Sequence, residues 1–591
     1  MKRKVLLVIA VILTLALLVS ACAPGGNGGG QDAPPAADGG EDAPAGTDDD
    51  GGDAVEDAGG GGEAGAADGA RSHPGPFGRF DPPITVTIIR NIDEREYEPG
   101  DSWDYNIWTR MYEEKLGITF DYLWTTTTDF DIRLNTAIVA GDLPDVMRIP
   151  YAQFAILAAS DRLEPLDGVI DRYAIQEIHD GLEAFDGILR SQVTFEGHVM
   201  GIGSPPSVEP PQLWFRDDWA AAVGADRPET FEDVIEMAIA FATQDPNGTG
   251  LPTVGFGLNA SIWDVFEMGA LFSAYGAYPR NWVRLDDGTI VHGSTQLDLL
   301  VEPLQLLQDL FADGILDQDF VNIGTWDIGA DHIIQERIGM VFGPIWFGDW
   351  RLGALMEARG DREATWTSMP IPGAGGRTNY LALAARPNDI GAVSAGFAYP
   401  EVLVKMVNVG VGLLRGEIAD GRFHSVPNPD GSGNMINNFF HNLMMGVGEP
   451  GVSWNYHCAV LVTEALETGD TSQLNDEMMN YYTRSRGFLD GTNLAGYTSY
   501  SIFGPTGSQW SGQEIRDNGW FKFDPFFGPF TDTMNENLGN INSRRDEIFT
   551  RIIMGADIDE GLQEYIQFWY ANFGDVITEE VNQWYQEHQA R

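Results

Sequence analysis

Strand-type and helix-type patterns alternate between residues 84 and 149, and this alternation constrains the fold more than any other feature of the chain. Residues 84–90 (ITVTIIR), 118–124 and 145–149 are rich in β-branched and aromatic residues, which favour strands. Residues 105–117 and 129–141 lie between them and read as helices that each end at a glycine. A β-α-β-α-β order predicts an α/β fold with a parallel, doubly wound sheet.

Apolar stripes at helical spacing mark the later part of the chain. They run over residues 297–310, 562–570 and 577–585. At the start of the last stripe, Thr578 is placed to cap a helix N-terminus. From about residue 80 the chain is too long for one ordinary domain, so we expect two α/β lobes.

The N-terminus has the pattern of a secretory signal peptide. A basic head, MKRK, precedes an uncharged apolar run, and small residues follow it up to Cys22. Residues 19–22 (VSAC) resemble a bacterial lipobox, which implies removal of residues 1–21 and attachment of lipid to Cys22. The alternative is an uncleaved membrane anchor. Both interpretations predict a body on the extracytoplasmic face of a bacterial cell membrane.

Residues 22–75 are expected to form a disordered acidic tether. Residues 23–70 consist almost wholly of Gly, Ala, Asp, Glu and Pro and contain no aromatic residue. Such a segment cannot bury enough apolar surface to offset the entropy of ordering it. We therefore expect a flexible linker between the membrane and the folded body.

The formal charge of −53 excludes some classes of partner. A field this negative disfavours nucleic acid and anionic lipid surfaces. The chain has only two cysteines, and if Cys22 carries lipid, Cys458 has no partner for a disulfide. We expect Cys458 to be a small buried apolar residue.

Several segments in order resemble the extracellular solute-binding proteins of family 1, in the lipoprotein branch that serves sugar ABC importers. The segments include LNTAIVAGDLPDVMRI (134–149), LFADGILDQDF (310–320), QERIGMVFGPIW (335–346) and YPEVLVKMVN (399–408). The resemblance implies a two-lobed, periplasmic-binding-protein-like α/β fold with a ligand cleft and a hinge of about three crossings. Lobe one would comprise 80–208 and 372–445, and lobe two 209–371 and 446–591.

A sugar site needs aromatic platforms for the apolar faces of the rings and polar side chains for the hydroxyls. Open α/β sheets bind ligands outside the carboxyl ends of their strands, so candidates should follow strands. Ordinary packing is the alternative for each of them, and Trp346, after the strand GMVFGP, is the candidate we favour. The candidates are Asp104, Trp108, Arg148, Tyr151, Trp263, Trp346, Trp454 and Tyr456.

Residues 245–250 (DPNGTG) resemble a calcium loop found in some members of this branch. Asp245, Asn247 and Thr249 alternate as oxygen ligands that suit a hard cation. The acidic residues expected further along are absent, because Leu251, Pro252, Thr253 and Val254 follow. A plain turn is therefore favoured over calcium, and we expect no other cofactor.

The sequence favours a binding protein over an enzyme. It contains no G-x-x-x-x-G-K-[ST], H-E-x-x-H or G-x-S-x-G motif. The resemblance implies a lipid-anchored monomer that captures an oligosaccharide and delivers it to ABC permease subunits. The alternatives are a secreted lipoprotein glycoside hydrolase, whose carboxylate pair would be hidden among many acids, and a binding protein for peptides or another solute.

Overall fold

The computed structural model describes residues 71–92, 95–206, 208–263, 266–324, 331–349, 351–387, 389–415, 420–429, 435–448 and 453–589. The chain divides into two compact units, Met1–Ala64 and Gly65–Arg591, and all described residues belong to the second. The predicted signal peptide, Cys22 and residues 23–70 of the predicted tether lie outside the described residues.

Most of the described strands are short. They are Arg71–Ser72 (β1), Phe80–Asp81 (β2), Ile84–Asn91 (β3), Ile118–Thr126 (β4), Val146–Pro150 (β5), Thr194–Phe195 (β6), His198–Val199 (β7), Gly201–Ile202 (β8), Gln212–Arg216 (β9), Val254–Phe256 (β10), Trp282–Arg284 (β11), Ile290–His292 (β12), Ile338–Gly343 (β13), Trp366–Met369 (β14), Leu381–Leu383 (β15), Asp389–Val393 (β16), Val426–Pro427 (β17), Met435–Ile436 (β18) and Phe521–Phe523 (β19).

Helices make up much of the rest of the body. They are Ile107–Met111 (α1, continued by a π-helix over Tyr112–Leu116), Phe130–Ala140 (α2), Tyr151–Ala158 (α3), Asp167–Tyr173 (α4), Gln176–Val193 (α5, interrupted at residues 184–187), Asp217–Val223 (α6), Phe231–Thr243 (α7), Gly269–Ala274 (α8), Leu297–Ala312 (α9), Leu352–Arg359 (α10), Glu401–Arg415 (α11), Ser453–Thr468 (α12), Asp476–Leu489 (α13), Tyr497–Phe503 (α14), Ser508–Asp517 (α15), Asp532–Ile553 (α16), Ile558–Ala571 (α17) and Gly574–Gln589 (α18).

The first core takes its buried residues from 80–202 and 390–447. Strand β3 pairs in parallel with β4, whereas β16 pairs antiparallel with both β5 and β8. The Asp145 carboxylate joins the two ladders, because Oδ2 accepts hydrogen bonds of 2.8 Å from the Thr87 backbone N–H and hydroxyl. We refer to the body around this core as lobe one.

The second core takes its buried residues from 213–381 and 515–581. It lies against a four-stranded mixed sheet with the strand order β10-β13-β9-β14. A further cluster of buried residues comes from 214–366 and 488–497. Along β9 and β13 its residues alternate with those of the second core, so it packs against the other face of the sheet. We refer to this body as lobe two. Leu381 belongs to the core of lobe two. The lobe boundaries proposed from the sequence stay predictions.

The five elements predicted from the alternation are confirmed at 84–91, 107–116, 118–126, 130–140 and 146–150. Parallel pairing is confirmed for β3 and β4, whereas β5 pairs antiparallel with β16, a strand that lies outside the alternating segment. The reason is the chain path: β16 returns from lobe two beside β5 and runs in the opposite direction. Strand alternation cannot reveal which strand a returning segment will pair with.

The predicted cap at Thr578 is also wrong. Helix α18 begins four residues earlier, at Gly574, directly after Phe573 in the left-handed region (φ 63°). The Ile577 backbone N–H donates to the Phe573 carbonyl at 2.9 Å, and the Thr578 hydroxyl donates to the Gly574 carbonyl at 2.7 Å. Threonine at an interior helical position bonds back to the preceding turn in this way, so it resembles a cap in sequence without being one.

Three crossings between the lobes lie side by side. Crossing one comprises residues 203–211, crossing two 384–388 and crossing three 446–452, and the contacts below concern the parts that the structure describes (203–206, 208–211, 384–387 and 446–448). The Ser204 hydroxyl donates to the Gly446 carbonyl at 2.7 Å, and the Gly448 N–H donates to the Gly203 carbonyl at 3.2 Å. A Cβ on Gly203 would lie 3.6 Å from the Pro387 side chain, so crossing two also runs beside crossing one. Three adjacent strands of chain are the expected hinge.

The folded body begins before residue 75. Strand β1 pairs with β2, and the buried Lys405 ammonium donates to the carbonyls of His73, Gly75 and Gly78 at 3.0, 3.1 and 2.7 Å. These contacts fix residues 71–78 on lobe one, so the ordered body starts earlier than composition suggested. Within the described ranges, no helix combines the length and apolar character needed to cross a membrane. Cys458 is buried in a cluster formed by α12, α13 and α14, as predicted.

Candidate functional site

A cavity of about 290 Å³ lies at the carboxyl ends of β3 and β5 in lobe one. These strand ends are where open α/β sheets bind ligands. The polar side chains of Arg90, Asn91, Asp131, Arg148 and Asp389 line it. The first residue after crossing two, Asp389, therefore stands at the wall of this cavity, and we call it the lobe-one cavity.

Both arginines of the lobe-one cavity are already engaged. Arg148 contacts Asp389 Oδ2 through Nη2 at 2.6 Å and through Nε at 2.7 Å. Arg90 donates to the carbonyls of Trp103 and His441. With Asp131 also in the wall, two positive and two negative groups balance. The cavity consequently offers hydrogen-bonding groups without a net charge.

Two aromatic rings complete this cavity. Phe130 and Phe440 line it, and both are half-buried. The Arg95 guanidinium lies 4.0 Å from the centroid of the Phe440 ring, and Phe130 packs against Trp124 at 5.4 Å. Supported aromatic rings beside polar groups are the composition expected of a small-molecule site.

A second cavity, of about 320 Å³, lies between lobe two and two of the crossings. Glu209 and Pro211 of crossing one line it together with residues 381–384, which lead into crossing two, and with Trp263 and Tyr278 of lobe two. The Tyr278 hydroxyl donates to the Tyr380 carbonyl at 2.8 Å, and burial raises the pKa of Tyr278 to about 12. We call it the lobe-two cavity.

Trp263 lines the lobe-two cavity but is held on several sides. Its indole N–H donates to Asp546 Oδ1 at 2.7 Å, and only 7% of the residue is exposed. The guanidiniums of Arg280 and Arg545 lie 5.7 and 5.3 Å from its ring. These contacts fix the Trp263 ring as part of the wall.

Tyr151 couples the first core to crossing two. Its hydroxyl donates to the Gln192 carbonyl at 3.3 Å, and Gln192 Nε2 donates to the Ala385 carbonyl at 2.9 Å. Burial raises the pKa of Tyr151 to about 12. Burial also raises the pKa of Asp524, whose backbone N–H donates to the Leu383 carbonyl at 3.0 Å, to about 6.

Asp104 and Trp108 are close in sequence but differ in burial. Asp104 is exposed and accepts a 2.7 Å hydrogen bond from the Ser102 hydroxyl. Trp108 is fully buried in the first core, where its indole N–H donates to the Asn438 carbonyl at 2.7 Å. Neither lines the lobe-one cavity.

The remaining predicted aromatics lie in lobe two. Trp346 follows β13 and is 42% exposed. Trp454 donates from its indole N–H to Glu477 Oε2 at 3.1 Å. Tyr456 makes an edge-to-face contact with Trp510 at 5.4 Å. The ligand roles proposed for all eight candidates stay predictions.

The 245–250 loop forms a turn closed by its own side chains. The Gly250 N–H donates to the Asp245 carboxylate at 3.1 Å, and the Thr249 hydroxyl donates to Asn247 Oδ1 at 2.8 Å. Asn247 Nδ2 reaches the Glu336 carbonyl at 3.0 Å. The candidate oxygens thus already accept hydrogen bonds within the turn, and the preference for a plain turn over calcium stays a prediction. In the described part of the chain, no group of three His, Cys, Asp or Glu side chains could hold a metal.

Sequence reasoning missed Arg90, Asn91, Asp131, Asp389 and Asn442 as lining residues of the lobe-one cavity. The signal for Arg90 and Asn91 was present, because they are the polar residues that end the first predicted strand. The rule that selected Arg148 would have selected them as well. Asp389 and Asn442 arrive from distant parts of the chain, and local sequence gave no sign of their meeting.

A model of the bacterial extracellular solute-binding proteins matches residues 95–403, more than half of the chain. The chain belongs to this family. The predicted resemblance to solute-binding proteins is thereby confirmed.

Three curated relatives of this solute-binding protein share part of its sequence. Lipoprotein LipO of Bacillus subtilis (strain 168) is 23% identical over 39% of this chain and 45% of LipO. The fructooligosaccharide ABC transporter substrate-binding protein FusA of Streptococcus pneumoniae serotype 4 is 26% identical over 35% of this chain and 40% of FusA. The polygalacturonan/rhamnogalacturonan-binding protein YtcQ of B. subtilis (strain 168) is 25% identical over 29% of this chain and 33% of YtcQ. The chain spans less than half the length of each.

The crystal structure of S. pneumoniae FusA in complex with kestose is similar over nearly the whole body. It covers 86% of this chain and 100% of FusA, with a TM-score of 0.55 and 16% sequence identity. At this identity the likeness establishes the fold alone. The predicted two-lobed α/β fold of a solute-binding protein is confirmed.

Proposed function

We propose that this solute-binding protein captures a neutral oligosaccharide between its two lobes and delivers it to an ABC permease. One observation carries the proposal: the three crossings lie together, and the lobe-one and lobe-two cavities adjoin them. Clefts between lobes are preferred sites for small molecules. A hinge of adjacent crossings allows such a cleft to close on its ligand.

The charge of the cavities supports a neutral ligand. The Arg148–Asp389 ion pair leaves the lobe-one cavity without net charge, and Glu209, Glu267 and Arg280 leave the lobe-two cavity slightly acidic. The whole chain adds a strongly negative field that repels anions. FusA is named for fructooligosaccharides and YtcQ for polygalacturonan, so relatives include both neutral and anionic classes. We place this chain with the neutral class.

Attachment and delivery complete the proposal. The lipobox-like residues before Cys22 support a lipid anchor, and LipO is named as a lipoprotein. An anchored chain on the extracytoplasmic face would remain close to its permease. The protein would act as a monomer, without a cofactor and without catalysis.

A binding screen with product analysis tests the function. The body, produced from Cys22→Ser protein, is mixed with neutral oligosaccharides, uronic-acid oligomers and peptides, and its melting temperature is measured. A ligand that binds only the folded state raises the melting temperature by mass action. Chromatography of the same mixtures follows the fate of each glycan. We expect a shift with a neutral oligosaccharide that is recovered intact.

Three results would contradict all or part of the proposal. Cleavage of the glycan would indicate a glycoside hydrolase, the enzyme alternative. A shift with peptides and none with any glycan would keep the fold and change the ligand class. A shift confined to uronic-acid oligomers would contradict only the neutral specificity.

A further inference from the structure

A third cavity, of about 470 Å³, lies in lobe two apart from the two described above. It is bounded by residues 369–379, which connect β14 to β15, by the segment that leads into α7, and by the end of α15 together with Trp520. We call it the Trp520 cavity. Its position links it to the segment that enters crossing two, because the Leu381 N–H donates to the Trp520 carbonyl at 3.1 Å.

Trp520 lines this cavity from the segment that follows α15. It packs against the second core and remains half-buried. Among the described residues its indole N–H donates to no protein group, and its ring has no aromatic or cationic neighbour. Its backbone is nevertheless fixed, since the Trp520 N–H donates to the Ile515 carbonyl at 3.0 Å. A fixed indole with an unused donor is suited to a ligand that has both an apolar face and a hydrogen-bond acceptor.

The cavity is lined by charged side chains in equal numbers of each sign. Arg227, Arg377, Glu229 and Glu514 line the cavity, and all four are exposed. In the part of the chain that the structure describes, none of the four forms an ion pair. A neutral polyhydroxyl ligand can accept hydrogen bonds from the guanidiniums and donate them to the carboxylates. An ionic ligand would be repelled by one of the two pairs.

One lining residue of the cavity, Asn379, is bonded to the segment that connects β14 to β15. Asn379 is only 6% exposed, and its Nδ2 donates to the Ile371 carbonyl at 3.2 Å. Its Oδ1 accepts no hydrogen bond from the described residues. Because this oxygen has almost no accessible surface, Asn379 shapes the wall of the cavity and does not itself meet a ligand.

The nearby start of α7 does not favour an anion. Thr230 caps this helix, and the Thr230 backbone N–H donates a hydrogen bond of 2.8 Å to the Asp233 carboxylate. The carboxylate already balances the positive end of the helix dipole. A carboxylate or phosphate ligand would therefore meet a like charge here.

We propose that the Trp520 cavity is a second carbohydrate site, which binds a neutral sugar ring outside the cavities beside the hinge. Trp520 is the platform for the apolar face of the ring, and Arg227, Arg377, Glu229 and Glu514 bind its hydroxyls. Only the class of ligand rests on the proposed function. The location and the residues rest on the cavity itself.

Calorimetry with four neutral trisaccharides (kestose, maltotriose, xylotriose and mannotriose) tests the site. The proteins are wild type, Trp520→Ala, Trp520→Phe and Arg227→Ala, all in the Cys22→Ser background. Tyr570→Ala is the matched control. It removes another aromatic side chain, which is 59% exposed and does not line the Trp520 cavity. Melting temperatures and circular dichroism verify that each variant folds. Arg227 is exposed, so its variant keeps the test valid if Trp520→Ala does not fold.

The site predicts a component of binding that Trp520→Ala weakens tenfold or more. Trp520→Phe should recover much of it, Arg227→Ala should weaken it several-fold, and Tyr570→Ala should leave it unchanged. Equal affinity and stoichiometry in wild type and in the folded Trp520 and Arg227 variants would overturn the inference. If Trp346→Ala weakens binding in that case, the proposed function stands while the second site falls. Absence of binding to all four trisaccharides by wild type would overturn the site as well.

Discussion

Arg148 in β5 and Asp389 at the start of β16 form an ion pair, with Nη2 and Oδ2 2.6 Å apart. The two strands are antiparallel neighbours, and the two residues stand on the wall of the lobe-one cavity. About three-tenths of each side chain is exposed, so the pair adds little to stability. Its main consequence is that the arginine is neutralised at the place where a ligand would meet it.

Removing this carboxylate should change the charge preference of the cavity. In Asp389→Asn, Arg148 loses its counter-ion and becomes available to an anion. We expect the affinity for trigalacturonate to rise about tenfold relative to that for a neutral trisaccharide, which corresponds to about 1.4 kcal/mol. Calorimetry with both ligands measures the ratio.

Asp131→Asn is the matched control for this prediction. Asp131 also lines the lobe-one cavity, so the substitution removes the same charge from the same place without freeing Arg148. An equal gain in both variants would show that net charge alone sets the preference. It would contradict the role given to the ion pair.

Trp346→Ala should weaken glycan binding about tenfold or more without unfolding the protein. The residue follows β13 and is 42% exposed, so truncation leaves no large cavity in the core. An aromatic ring stacked on a sugar contributes roughly 1 kcal/mol beyond its buried area, by analogy with aromatic pairs. Calorimetry measures the affinity, and Tyr570→Ala serves as the control. An unchanged affinity would assign Trp346 to packing.

Cys22→Ser should release the body from the membrane. The thiol is the only group in the lipobox-like segment that could carry lipid, and lipid anchoring depends on buried CH₂ groups. Fractionation of cells that express each form measures the distribution between membrane and medium. If wild type and the serine variant both stay in the membrane fraction with the apolar segment uncleaved, residues 1–21 act as an uncleaved anchor instead.

His292 should make the folded state less stable at mildly acidic pH. Its ring is buried, bonds to the Ser294 hydroxyl at 2.6 Å and stacks on Trp569, and burial lowers its pKa to about 3. The unfolded chain binds this proton near pH 6.5, so the stability contributed by neutral His292 is complete above that pH and is lost as the pH falls toward 3. Between pH 7 and pH 5 the contribution should fall by about 2 kcal/mol.

Chemical denaturation of wild type and His292→Gln at several pH values measures this difference. The comparison must be between the two proteins, because the raised pKa of Asp524 gives a change of the opposite sign below pH 6. That term is common to both and cancels. Parallel stability curves for wild type and His292→Gln would contradict the assignment of a neutral, buried His292.

The sequence predicted those parts of the fold that depend on local patterns. Strand and helix positions up to residue 150 follow from β-branched runs and from glycines such as Gly117, which ends its helix in the left-handed conformation (φ 68°). The pairing of β16 with β5 could not be predicted, because it joins residues about 240 apart in the chain. Thr578 shows the limit of a local rule, since the helix start is set by Phe573 and Gly574 instead.

The candidate site was predicted less completely for the same reason. Arg148 was identified because it lies near the end of a predicted strand, and the structure places it in the lobe-one cavity. Trp108 fits a similar rule but points into the first core, where Asn438 binds its indole N–H. Whether an aromatic residue faces a cleft or a core depends on tertiary packing, which one sequence does not reveal. Asp389 entered the site only through the return from lobe two.

The distance between the lobes, measured with and without ligand, tests the central claim most directly. Spin labels at Val139→Cys in α2 and Leu299→Cys in α9 would report on lobe one and lobe two, since both positions are exposed and helical. Cys22→Ser removes one competing thiol, and Cys458 is buried. A saturating neutral oligosaccharide should shift the distance distribution to that of a closed cleft. An unchanged distribution with the oligosaccharide bound would contradict capture between the lobes.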